Sequence, residues 1–70
     1  MDDQTPLADQ DHLRNWLHDV SNRVGAILAM SELLQLDSLT PQAEKRRQTI
    51  EDKALEVRDL LRAMSARHFP

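Results

Sequence analysis

Between two apolar-patterned runs the chain reads Leu36-Asp37-Ser38-Leu39-Thr40-Pro41, and this short stretch decides the fold. Threonine can cap the orphan amide groups of a first helical turn, and proline is well tolerated at the first helical position, so Thr40-Pro41 opens a helix. Thr5-Pro6 carries the same signal near the start of the chain. Working back from the connection, Leu13, Leu17, Val20, Val24, Ile27 and Leu34 recur in alternating steps of four and three, with Ser31 taking one seam position. This predicts a first helix from about Pro6 to Leu36, roughly 45 Å long at ~1.5 Å per residue. Working forward, Ala43, Ile50, Ala54, Val57, Leu61 and Met64 continue the seam, with Arg47 as its one polar intrusion, and predict a second helix from about Pro41 to Ala66. A connection of only Asp37 to Thr40 makes the two helices fold back as an antiparallel hairpin.

Composition agrees with an all-α chain. The 70 residues hold one glycine, three prolines and no tyrosine, a poor stock for strands and hairpin turns. The absence of cysteine removes disulfides and thiolate metal sites, so so short a chain has to find stability in packing or in a partner. Helix 1 carries Trp16, Leu28, Met30 and Leu33 beside its seam, a wider apolar stripe than one facing helix covers. A second hairpin covering it gives a homodimer, a four-helix bundle from two chains, with residues 1–70 as one domain. Its core is expected to include Leu17, Val20, Val24, Ile27, Ile50, Val57 and Leu61.

Charge argues against nucleic acid as a partner. The net charge is −3, and the first forty residues hold seven acidic side chains against two basic ones, whereas a duplex binder needs a basic face to displace counterions. No apolar run approaches the ~20 residues of a membrane span, and the acidic start Met1-Asp2-Asp3-Gln4 lacks the positive end of a signal peptide. A cytoplasmic location without membrane attachment is the expectation.

With Leu17 and Val20 as seam positions a and d, His18 falls at b and Asn22 at f, on the face turned away from the core. Asp11, Asn15, His18, Asn22, Gly25, Ala29 and Glu32 run along that face in steps of three and four. Glycine in an exposed helix interior costs up to ~1 kcal/mol against alanine, so Gly25 suggests a place where another helix approaches closely, with Ala29 beside it. His12 and His18 are six residues apart, on different faces, which disfavours a two-histidine metal site. Lys45-Arg46-Arg47 reads as a solvated basic face, an expectation that Arg47's seam position strains, and Met30 and Met64 as apolar fillers.

The stretch His18-Asp19-Val20-Ser21-Asn22-Arg23-Val24-Gly25-Ala26-Ile27-Leu28, followed by Glu32-Leu33-Leu34, resembles the H box of the dimerisation and histidine phosphotransfer domain (HisKA-like, DHp) of bacterial sensor histidine kinases. The second run, from Ile50 through Ala54, Val57, Leu60, Leu61 and Met64-Ser65, is similar to the second helix of that domain, so the resemblance covers about residues 10 to 66. It implies that His18 is the phosphoacceptor, that Asp19 keeps its imidazole reactive, and that Asn22 orients water in dephosphorylation. Gly25, Ala29 and Glu32 would then face the partner. The chemistry is consistent with that assignment: a neutral imidazole accepts a phosphoryl group at one nitrogen when the proton on the other is held. Phosphoryl transfer depends mainly on positioning and charge neutralisation, so Mg²⁺ is expected from the partner and no cofactor from this chain.

Two departures from the family pattern stand out. Arg23 occupies the place of the proline usual five residues after the histidine, and nothing after Ser65 supplies the glycine-rich lid of an ATP-binding domain. Phosphate is therefore expected from elsewhere, without autonomous ATP-dependent kinase activity, as in the stand-alone histidine phosphotransferases of phosphorelays that this pattern also resembles. The implied function is two-component signalling, passing a phosphoryl group between His18 and an aspartate of a response-regulator receiver domain. The implied partners are a second copy, that receiver, and a histidine kinase. The alternative is a non-catalytic dimeric interaction protein that binds a receiver or kinase through the same hairpin.

Overall fold

Thr40 makes the helix start that its sequence context predicts. Its backbone is extended (φ −66°, ψ 159°), its Oγ1 accepts from the Ala43 N–H at 3.0 Å, and Pro41 takes the first helical turn. The computed structural model describes residues 6–69, in which α1 spans Pro6–Leu34 and α2 spans Pro41–His68. The cap expected at Thr5 lies outside the described residues.

Both helices stop where local bonding changes. The N–H groups of Gln35, Leu36 and Asp37 turn onto the carbonyls three residues back, at 3.1, 3.0 and 3.1 Å, so α1 tightens and ends two residues before Leu36. α2 runs two residues past Ala66, because the Phe69 N–H closes its last turn onto the Ser65 carbonyl at 2.7 Å. Phe69 also lies beneath the guanidinium of Arg14, with Cζ 4.6 Å from the ring centroid, which ties the end of α2 to α1.

The helices form an antiparallel hairpin. Burial recurs every seven residues on each helix: Leu17, Val24 and Ser31 on α1, and Arg47, Ala54 and Leu61 on α2. Arg47 Nη1 donates to Ser31 Oγ at 3.2 Å. Counting seven back on α1 and seven on along α2 places Val24 against Ala54, and a further seven places Leu17 against Leu61. The two polar interruptions of the seam are thus one layer. Arg47, 3% exposed, is also held on its own helix: it donates to Glu44 Oε2 through Nη2 and to Glu51 Oε1 through Nη1, both at 2.7 Å. A buried guanidinium left unpaired would be costly, and this network satisfies it. The hydrogen bonds from Arg47, helped by its charge and opposed by partial burial, hold the Glu44 carboxyl below its ordinary value.

Only one of the two seam positions is buried by the hairpin. Val20 is half-buried, while Ile27, Ile50 and Val57 remain 48%, 49% and 39% exposed. The molecule is a rod of 54 × 20 × 16 Å with a radius of gyration of 16.5 Å, against about 11 Å for a compact domain of this length. Its core is correspondingly thin. Among the described residues no helix is long and apolar enough to cross a membrane.

Two outcomes follow from this packing. Leu61→Ala removes a buried seam side chain and lowers unfolding free energy by about 2 kcal/mol, at the low end for a leucine because the surroundings can collapse. Leu36→Ala, in the exposed connection, changes it by no more than ~0.5 kcal/mol in urea denaturation followed by circular dichroism. The second concerns acid. Glu44 has a folded pKa below its unfolded value of 4.5, so its pairing stabilises the hairpin above that value and is lost as pH falls through the folded one. Between about pH 5 and about pH 3 the urea midpoint therefore drops further in the native chain than in Arg47→Met, where that pairing is absent.

Candidate functional site

His18 follows the buried Leu17 by one residue, about 100° round the helix, so its ring is exposed at one flank of the hairpin. Had both seam positions been buried equally, the core would centre between Leu17 and Val20, and His18 would stand about 130° round the helix from it. The hairpin buries the Leu17 set, the core direction rotates toward it, and His18 comes to the rim of an interhelical groove. That groove, about 280 Å³ and open to solvent, is floored by Leu17 and Leu61. α1 contributes Arg14 and Ser21 to its walls, α2 contributes Arg62 and Ser65, and Phe69, the residue that caps α2, adds its ring.

The other residues of the expected site are exposed but stand outside this groove. Asn22, Gly25, Ala29 and Glu32 continue along α1 as a solvent-facing strip. Asp19 is exposed too, and among the described residues its carboxylate makes no hydrogen bond to His18; its backbone carbonyl accepts from Arg23 Nη1 at 3.1 Å. Arg23 thus folds its side chain back along the helix, and the helix continues unbroken. A Cβ built on Gly25 meets nothing within 4 Å, so the hairpin itself has no need of a glycine there. Among the described residues no group of three histidine or acidic side chains is arranged to hold a metal ion.

The spacing of polar residues on α1 could reveal Arg14 and Ser21 as neighbours of His18, since they lie four before and three after it. Arg62, Ser65 and Phe69 could not be found in that way. They reach His18 only through the register that pairs Leu17 with Leu61.

The opposite flank is apolar. Ile27 and Ile50 link two open grooves, one completed by Val24, Ala54 and Val57 and the other by Met30 and Leu34. Trp16, Leu60 and Met64 are also exposed. No protein-family model, curated protein or solved structure matches the chain.

Gly25→Ala discriminates between a structural and a partner-facing glycine. With open space at the Cβ position, the alanine raises stability by about 0.5–1 kcal/mol, as expected for an exposed helix interior, measured by thermal or urea denaturation. A loss of stability would mean that the glycine serves the hairpin's own packing.

Proposed function

We propose that the chain is a homodimeric histidine phosphotransfer module of two-component signalling, of the HisKA-like type, carrying a phosphoryl group between His18 and an aspartate of a receiver domain. The observation that carries this reading is the placement of His18: exposed on one flank of a two-helix hairpin whose other flank is apolar. Pairing two hairpins through Ile27, Ile50 and Val57 would complete a four-helix core and leave His18 accessible.

In the transfer, an unprotonated imidazole nitrogen of His18 attacks the phosphorus of the receiver's aspartyl phosphate. The N–P bond forms as the acyl P–O bond breaks, and the carboxylate departs on the receiver with the Mg²⁺ that the receiver holds. Asn22, one turn along, would orient water toward a phosphorylated His18. Asp19 can hold the imidazole proton only by swinging its side chain round the helix.

The competing reading, a non-catalytic interaction protein with an idle His18, is favoured by that separation of Asp19 from His18 and by Arg23. Incubation with phosphorylated receiver domains decides between them. Phosphotransfer gives an acid-labile label on the chain that His18→Ala abolishes and that His12→Ala and His68→Ala retain. Asp19→Asn slows labelling several-fold, and Asn22→Ala chiefly slows loss of the label. If His18→Ala keeps full receiver binding and full biological effect, the chain is an interaction module. For the assembly, sedimentation at tens of micromolar gives a dimer that Ile50→Lys dissociates; a fully helical native monomer would overturn the dimer.

A further inference from the structure

We infer that the groove beside His18 is a phosphate cradle in which Arg62 of α2, assisted by Arg14 and by the hydroxyls of Ser21 and Ser65, holds the oxygens of the phosphoryl group; its role in transfer rests on the reading above.

The chain is acidic overall, yet this groove is walled by two guanidinium groups and no carboxylate. Two like charges facing one depression attract an anion, and guanidinium is suited to phosphate because it offers several N–H donors in a planar fork. The two arginines are not equivalent. Arg14 is already engaged, with Nη1 3.3 Å from Asp11 Oδ1 and its guanidinium over the Phe69 ring, so it is oriented and partly neutralised. Arg62 has no acidic partner within 4.0 Å among the described residues, and is the donor with its charge uncommitted. Arg58, one turn before it, stands outside the groove and is paired on its own helix, with Nη2 3.8 Å from Asp59 Oδ1. Ser21 and Ser65 lie three residues beyond His18 and Arg62 respectively, bringing a hydroxyl from each helix to the same groove. Because the groove is open, a reactant can approach the phosphorus from the side opposite His18, as an in-line displacement needs.

Arg62 is thus a positioning residue for the phosphoryl group, supplied by the helix that does not carry the histidine. The test uses the full chain with two probes. Inorganic phosphate is titrated against the NMR signals of His18, Ser21 and Arg62, with acetate as a parallel arm. Phosphoramidate then serves as a small-molecule donor: an imidazole nitrogen attacks phosphorus, the P–N bond to ammonia breaks, and ammonia leaves with the proton.

Saturable phosphate shifts at these residues are expected, weakened at least fivefold by Arg62→Gln and unaffected by Arg67→Gln, together with at least fivefold slower labelling of His18 in Arg62→Gln and partial recovery in Arg62→Lys. Unchanged helicity in each variant separates this from unfolding. Wild-type binding and labelling in Arg62→Gln overturn the cradle and leave the phosphotransfer reading standing. Arg62-dependent phosphate binding without any label on His18 supports the cradle as an anion site, and phosphotransfer is then decided by the receiver assay above. Acetate binding as tight as phosphate reduces the groove to a nonspecific positive patch and overturns the cradle.

Discussion

The 3.2 Å hydrogen bond from Arg47 to Ser31 is the directional contact between the two helices on which the rest depends. Apolar side chains in a seam specify register weakly, because hydrophobic attraction is non-directional. A buried guanidinium does not tolerate sliding, since a shift by one turn would move Arg47 away from Ser31 and against an apolar neighbour, leaving its charge without the hydroxyl acceptor across the interface. Glu44 and Glu51 neutralise the group from its own helix, so the charge can be buried, while Ser31 gives its remaining hydrogen the across-helix address. Registry is the best-attested use of such a buried polar layer, and here it has a chemical consequence. Once Ser31 faces Arg47, Leu17 faces Leu61, and His18 and Arg62, each one residue further on, come to the same groove.

The hairpin also separates two surfaces that the linear pattern mixes. Heptad positions a and d look equivalent in the sequence, and in an isolated hairpin they are not: the Leu17, Val24 and Ala54 set is buried, while Ile27, Ile50 and Val57 stay half open to water. In this hairpin the two helices bury only one of the two lines. The other line therefore lies on the flank opposite His18, where covering it would not obstruct the histidine. The polar groove and the apolar grooves thus lie on opposite sides of a thin rod, so covering one side would leave the other open.

Much of this architecture was legible in the residues. Thr40-Pro41 marks the start of α2, and the three-and-four spacing marks both helices; where the ends differ, by two residues at each C-terminus, the cause is local. The 3₁₀-like turns at Gln35 to Asp37 shorten α1, and the Phe69 N–H bond to the Ser65 carbonyl prolongs α2. Neither is visible to a reading of apolar periodicity. The strip from His18 through Asn22, Gly25, Ala29 and Glu32 was legible as well, since helical geometry alone puts residues three and four apart on one face. The groove was not, because half of it comes from residues more than forty positions away.

The sequence by itself determined two amphipathic helices, their reversal at Asp37 to Thr40, and an outward-facing histidine, because periodicity and capping are local properties carried by neighbouring residues. Ser31 and Arg47 appeared in it only as two separate flaws in an apolar seam. The tertiary structure decided that they are partners, that one seam line is buried and the other open, and that His18 shares its groove with Arg62 and Ser65. The physical reason is that register between helices is a long-range choice, set where the buried guanidinium of Arg47 meets Ser31 across the interface.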